Sequence, residues 1–252
     1  MSDIRLYNLK NKKEFDSYHY NKLELQKIIE DNLYELLGVK LIASNINLTG
    51  KNKEYIESLG YDEDNRLVVI EYRLNKFSAT INKGLEYVDF IRQNVSKVKV
   101  QLMDINGDVA KDLIYDPRLI CIGEDYTEYD GKAIEFLPFD IDLIKAMIIG
   151  KEIVVLEKIY QNYVACKKDL GLNKDLLFAL DDFINSLGDE VSKSYLNGCI
   201  SYRRIRNFMY VFNDSGFNVV LKINNQFKKY PIKDIKDIDK LSEMIEISYD
   251  EN

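Results

Sequence analysis

The sequence predicts a mixed α/β fold, with helices packed on a sheet, followed by a smaller α+β unit. Three observations predict it. Strand-like runs such as "RLVVIEYRL" and "RLICIG" alternate with helix-period segments through the first 160 or so residues. That strand–helix–strand order implies a mixed sheet with helices on it. A polar stretch, "ACKKDLGLNK" (165–174), then interrupts the pattern. Beyond it, one amphipathic helix precedes three consecutive strand-like runs, the pattern of an antiparallel meander. These place a first domain over residues 1–165 and a second over 170–252.

Taken in order, "NKLELQKIIEDNLYELL" (21–37) is helical, because Leu25, Ile28, Ile29, Leu33 and Leu36 recur at three- and four-residue spacing. Gly38 is the stop. "VKLIASNINLTG" is a short extended piece. "KEYIESLG" and "RLVVIEYRL" are strands joined by the turn "YDEDN". Ser78 or Thr80 caps the helix "TINKGLEYVDFIRQN", whose inner face carries Ile81, Leu85, Val88 and Ile91. "VKVQLMD", "RLICIG" and "DLIKAMIIG" read as three further strands, with the helix "EYDGKAIEFL" between the last two, and "EIVVLEKIYQN" finishes the sheet. In the second domain "DLLFALDDFINSLG" is a helix with Leu176, Leu177, Leu180, Phe183, Ile184 and Leu187 inward. "LNGCISYRR", "NFMYVFND" and "FNVVLKI" are strands. "DIKDIDKLSEMIEISYDEN" ends the chain as a short helix and an acidic tail.

Composition narrows the chemistry. With 252 residues, 46% hydrophobic and 31% charged, the chain has the make-up of a folded soluble protein. No apolar run approaches the ~18 residues of a membrane helix. The start of the chain lacks a signal-peptide core, so a cytoplasmic location is expected. Cys121, Cys166 and Cys199 are scattered and form no CxxC pair, which argues against disulfides and structural zinc. His19 is the single histidine. Hydrolytic chemistry here would therefore run on carboxylates and a metal. A net charge of −7 weighs against non-specific nucleic-acid binding, although a basic groove can sit on an acidic protein.

One constellation stands out. Glu71 and Arg73 are two apart on a strand and share a face. Glu57 joins them if the preceding hairpin pairs in an even register. Two carboxylates and a cation then converge, as a metal-dependent phosphodiesterase requires. Hard oxygen ligands from Glu57 and Glu71 would hold Mg²⁺ or Mn²⁺, and the cation would stabilise developing charge. An ordinary cross-strand ion pair uses the same residues. Glu24 lies at the edge of the first helix's apolar stripe, within reach of a shared site or simply solvated. Lys83 and Tyr87 are one helical turn apart just after the strand and look at the same patch; the plainer alternative is a snorkelling lysine beside a half-buried tyrosine. In the second domain "SYRRIRN" gathers Tyr202, Arg203, Arg204 and Arg206, a combination suited to phosphate and base contacts or to solubility.

The order of these blocks resembles the PD-(D/E)xK nuclease superfamily over about the first 157 residues. The nearer likeness is to a RecB-type, endonuclease-like group. Its opening helix "ELQ-x-LIE-x-NL-x-x-LLG" corresponds to "ELQKIIEDNLYELLG", and "RIDSLG-x-DE-x-x-x-x-VIIEYK" to "YIESLGYDEDNRLVVIEYR". "INQGL-x-Y-x-D" corresponds to "INKGLEYVD", and "PRLICIA-x-x-x-x-x-YD" to "PRLICIGEDYTEYD". Residues 170 to about 235 resemble a small uncharacterised domain often appended to such proteins, with "CISYRRIRNF" for "YIAYKRGRNF". The resemblance implies a restriction-endonuclease-like mixed sheet flanked by helices and a metal-dependent DNA endonuclease, with DNA as partner. It admits a homodimer, although the sequence carries no dimer signature.

Three presumed active-site positions depart from the pattern. Glu57 stands where the family has its metal-binding aspartate, Arg73 where it has the motif lysine, and Lys83 where it has the glutamine of Q-x-x-x-Y. Glu71, Tyr87 and Glu24 match. Arg73 keeps a charge but cannot exchange protons at neutral pH, and would pair with Glu71 or Glu57 and fill the metal site. Lys83 would replace the motif lysine from the helix, or substitute for the metal's charge. The alternative function is a degenerate nuclease fold that binds nucleic acid or a protein partner, for example in defence or counter-defence.

Overall fold

The computed structural model describes residues 7–10, 12–14, 18–51, 54–74, 80–150, 152–162, 170–188, 191–196 and 198–252. Contacts divide the chain into one unit of Met1–Tyr34 and Val39–Asn162 and another of Glu35–Gly38 and Tyr163–Asn252. The division expected at 165–170 falls largely outside the described residues.

The first unit opens with a two-residue hairpin, β1 (Tyr7–Asn8) and β2 (Lys13–Glu14). Helix α1 (Lys22–Asp31) follows. The expected single helix over 21–37 breaks at Asn32, whose side chain turns back to the Ile28 carbonyl at 2.9 Å, and restarts as α2 (Leu33–Leu37), whose last three residues are assigned to the other unit. Then come β3 (Lys40–Ile46), β4 (Ile56–Tyr61) and β5 (Arg66–Arg73). Helix α3 (Thr80–Gln93) leads through α4 (Val95–Asn106) and α5 (Val109–Asp112) to β6 (Ile114–Gly123). Helix α6 (Glu128–Glu135), β7 (Ile141–Ile149) and β8 (Ile153–Asn162) complete the unit.

The six strands β3 to β8 lie side by side in sequence order. β5, β6 and β7 run parallel, and the outer pairings are antiparallel. This is the mixed sheet flanked by helices that the sequence predicts. Every residue of β5 is buried, as a central strand covered on both faces requires. On one face Leu59, Val69, Leu119, Cys121 and Leu143 form a core with Tyr87, Val88 and Ile91 of α3. On the other, α1 lays Gln26 against the Glu57 carbonyl and Glu30 against the Ser58 hydroxyl.

Two expectations need correction here. "VKVQLMD" is not a strand but part of α4. Its apolar residues fit both periods, and the helix prevails by burying Val98 and Leu102, four apart, while leaving Val100 61% exposed. The inner face of α3 is centred on Gly84, Tyr87, Val88 and Ile91, with Ile81 and Leu85 only half-buried. Thr80 already lies inside the helix, and Ser78 is outside the described residues.

Gly84 lets α3 sit directly on β6. A Cβ there would lie 2.4 Å and 2.9 Å from the two methyls of Leu119, which is itself wholly buried. Gly84→Ala is therefore expected to lower stability by about 1 kcal/mol, overpacking outweighing the better helix propensity of alanine. A urea midpoint no lower than wild type would show that Leu119 can move aside.

The second unit contains α7 (Lys174–Leu187), β9 (Ser192–Tyr195), β10 (Cys199–Arg203), β11 (Asn207–Asn213), β12 (Phe217–Ile223), β13 (Gln226–Pro231) and α8 (Ile235–Glu251). Its strands form an antiparallel meander in the order β13-β12-β11-β10-β9, two more strands than the sequence suggested. The expected acidic tail is instead the end of a 17-residue helix. Ile238, Leu241, Ile245, Ser248 and Tyr249 hold α8 inward, so its acids are its outer face. No described helix is long and apolar enough to cross a membrane.

Candidate active site

The β4–β5 hairpin brings the two carboxylates together. Ser58 pairs with Ile70, so the next residues outward, Glu57 and Glu71, face each other across the ladder on the α3 side. Both are buried, Glu71 completely. The Glu57 amide donates to Glu71 Oε1 at 3.2 Å, and the Tyr72 amide donates to Glu57 Oε2 at 2.8 Å.

Lysine closes the remaining positions. Lys83 Nζ donates to Glu71 Oε2 at 2.8 Å and to Glu57 Oε1 at 3.1 Å. Lys22 Nζ, from α1, reaches the same Glu57 oxygen at 2.5 Å. Each of the four carboxylate oxygens thus already accepts a donor. Lys83 also lies 5.2 Å from the Tyr55 ring and 5.6 Å from the Tyr87 ring, so aromatic faces line its path. Lys83 and Tyr87 do share the patch, as their spacing suggested.

The titration behaviour follows from this geometry. Burial and then the Glu57 charge push the Glu71 carboxyl up to about 7, while Lys83 and the Glu57 amide hold it from rising further. Burial alone would lower the Lys83 ammonium, but its bonds to Glu71 and Glu57 outweigh that and raise it. Lys83 stays charged at neutral pH and is no general base there. Burial pushes the Tyr87 hydroxyl up to about 12.

Arg73 is elsewhere. It was expected to pair with Glu71 or Glu57; instead its guanidinium turns along the ends of β5 and β6. It donates to the Asp125 carbonyl at 2.7 Å and to Asp130 at 3.1 Å, and lies 3.9 Å from the Tyr126 ring. Gly123, its register partner on β6, makes room, since a Cβ there would meet Arg73 Cγ at 2.5 Å. Asp130 is fixed by Thr127, whose amide and hydroxyl both donate to it in a capping box.

Glu24 is also elsewhere. Its side chain accepts from the Asn21 amide at 3.0 Å and completes the capping box of α1, with Tyr18 at 3.4 Å. The signal was legible, because Asn followed three residues later by Glu is a helix start. Lys22, Asp130 and Tyr126 were missed. Lys22 is an ordinary first-turn lysine until the hairpin is placed beneath it.

The site does not fit a hard divalent cation in this arrangement. Mg²⁺ and Mn²⁺ take several oxygen ligands. Here two carboxylates already have every oxygen engaged, and an ammonium bridges them where a cation would sit. No cluster of three or more acidic, histidine or cysteine ligands occurs among the described residues.

In the second unit, the four residues of "SYRRIRN" do not form one open surface. Tyr202 and Arg203 are buried, and the Tyr202 hydroxyl donates to Asp181 at 2.6 Å. Arg204 is exposed and lies 5.1 Å from the Tyr249 ring, and Arg206 bonds the Glu251 carbonyl at 3.3 Å. A bulge between Tyr202 and Arg203 turns the neighbours apart.

Two cysteines are described, and both are buried thiols. Cys121 faces Glu71 across the parallel β5–β6 ladder. Burial, then the Glu71 charge, pushes its thiol up. Cys199 is in β10, and Cys166 lies outside the described residues.

No known protein family's sequence model matches the chain. An uncharacterised protein of Haemophilus influenzae is 27% identical over 195 residues, covering 69% of this chain and 64% of that protein, so the chain spans less than two thirds of its length. Among solved structures, a repair endonuclease from Pyrococcus abyssi is similar at 19% identity with a TM-score of 0.32, over 52% of this chain and 48% of that one. EndoMS in its apo form is similar at 21% identity and a TM-score of 0.31, over 48% of this chain and 45% of that one. An EndoMS–dsDNA complex is similar at 16% identity and a TM-score of 0.30, over 52% and 50% of the two chains.

Proposed function

We propose that this chain is an endonuclease-like, DNA-binding protein whose carboxylate pair is neutralised by lysine instead of a divalent cation, so that it binds DNA without cutting it. One observation carries the reading. The Lys83 ammonium bridges Glu71 and Glu57 at 2.8 Å and 3.1 Å, with Lys22 on the same Glu57 oxygen. The four motif blocks, in order, support the nuclease-like lineage and DNA as the partner. Arg73, committed to Asp130, supplies no charge to the pair.

A second reading, an Mg²⁺- or Mn²⁺-dependent endonuclease, has one observation in its favour. The Lys83 side chain keeps 36% of its exposure, so it can leave the pair. Plasmid nicking and duplex binding decide between them, measured in Mg²⁺ and in chelator for wild type, Lys83→Gln and Glu71→Ala. The binding reading expects wild type to bind duplex equally with and without metal and to leave plasmid intact. It expects Lys83→Gln, which restores the neutral amide of the related sequences, to gain a metal-dependent rise in melting temperature. Nicking by wild type that is lost in Glu71→Ala would establish the endonuclease instead.

A further inference from the structure

Read as a strand, "VKVQLMD" hides what α4 shows as a helix. Val98 and Leu102 bury its inner side. On the outer side Ser96, Val100, Met103 and Gly107 follow one another at spacings of four, three and four residues, and all four are exposed. Val100 is 61% and Met103 38% exposed. Nothing lies within 4 Å of where a Gly107 Cβ would be. This spacing is that of a seam along which two helices pack. The strip reads alike from either end, with a small residue, two apolar ones and a small residue.

The charge along this strip is reversed. Lys97 lies in the first turn of α4 and Asp104 in its last turn. They are seven residues apart, so they flank the same edge of the strip, and both are exposed. A helix is stabilised by acid at its start and base at its end. α4 has no acid in its first turn and no base in its last. Lys97 Nζ meets the Thr49 carbonyl at 3.4 Å and the Phe90 ring at 5.3 Å, neither of which is an anion. Neither Lys97 nor Asp104 has an ion-pair partner among the described residues.

We propose that the outer strip of α4 docks on the same strip of a second copy of this chain, antiparallel about a twofold axis. The twofold turns the second helix end for end, so Lys97 of each copy lies beside Asp104 of the other. Each helix start then gains an acid and each helix end a base. The reversed charge selects this occupant, because it costs α4 stability when alone and is neutralised by the same helix in the opposite direction. A parallel copy would set like ends together and leave the reversal uncorrected. A partner fitted to the apolar pair alone would call for no reversal. Two helices of this length bury less than about 1,200 Å², so the association is weak and depends on concentration. The inference rests on α4 alone and is independent of the carboxylate pair and of DNA binding.

Sedimentation equilibrium of the full chain from about 5 μM to about 500 μM tests it. Wild type should pass from monomer to dimer over this range. Val100→Lys, at an outward position, should keep its melting temperature and associate at least about ten-fold more weakly. Lys97→Asp and Asp104→Lys each improve the charge of α4 itself but set like charges across the twofold. Each variant should therefore melt no lower than wild type and self-associate roughly ten-fold more weakly. An equimolar mixture of the two restores opposite charges at both contacts and should recover wild-type association. A wild type that stays monomeric at the highest concentration leaves the strip to a different protein and overturns the inference. A wild-type dimer unmoved by Val100→Lys overturns it too, as does a mixture that associates no more tightly than its components.

Discussion

Arg118→Ala is expected to destabilise the first unit by about 3–5 kcal/mol, the cost of removing one member of a buried ion pair. Arg118 lies on β6 at the end of the sheet where β5 and β7 begin, opposite to the carboxylate pair. Its Nε donates to Asp62 at 3.1 Å and its Nη1 to Asp142 at 3.1 Å, and all three side chains are no more than 5% exposed. Removing the guanidinium would leave two carboxylates out of water. Asp62 would keep the amides of Asp64 and Arg66, and Asp142 would keep Lys158 at 3.9 Å. Against a typical total of 5–15 kcal/mol, the loss is large enough to leave much of the protein unfolded in mild urea. Asp62→Asn with Asp142→Asn in the same chain should recover part of it by removing the stranded charges. A loss under about 1 kcal/mol in the single variant would mean that water reaches both carboxylates.

The second large effect is a pH dependence set by Glu71. Its carboxyl is raised from the ordinary 4.5 to about 7, by burial first and by Glu57 second. The native state therefore holds this proton more tightly than the unfolded chain does. Stability from this group is fully present below about pH 4.5 and falls as pH rises toward 7. The whole swing is on the order of 3 kcal/mol. Glu71→Gln should flatten it, matching wild type near the acid end of the window and exceeding it above pH 7 by that amount. Urea unfolding of both proteins across the window checks this. Parallel curves would show that Lys83 keeps the carboxyl ionised throughout, with no proton held.

The strands that build this site were legible because β5 and β6 read as continuous apolar runs, which central parallel strands are. Whether Glu57 faces Glu71 hung on the hairpin register, which the sequence left as a condition and which the pairing of Ser58 with Ile70 meets. What was not legible depended on distant partners. Arg73 leaves the carboxylates for Asp130, 57 residues on, because Gly123 clears a path along the strand ends and Thr127 fixes the acceptor. Lys22 joins Glu57 only once α1 is docked. In α4, "VKVQL" satisfies a two-residue and a four-residue period equally, and only the surroundings choose. The last helix looks short in the sequence because its acids resemble a tail; their spacing around Ile245, Ser248 and Tyr249 makes them one side of a helix.

The buried cysteines give each unit its own clock. Cys121 is wholly enclosed in the centre of the six-stranded sheet and Cys199 is enclosed in the meander, each with its thiol out of reach of a water-borne alkylating agent. Modification must wait for the surrounding strands to part, so its rate counts openings. When reclosing outpaces the reagent, the rate gives the free energy of opening; when it does not, it gives the opening rate itself. Peptide mapping separates the label on Cys121 from that on Cys199 and from any on the third cysteine, Cys166. A single chain, without any engineered probe, thus reports separately how often its six-stranded sheet and its meander come apart.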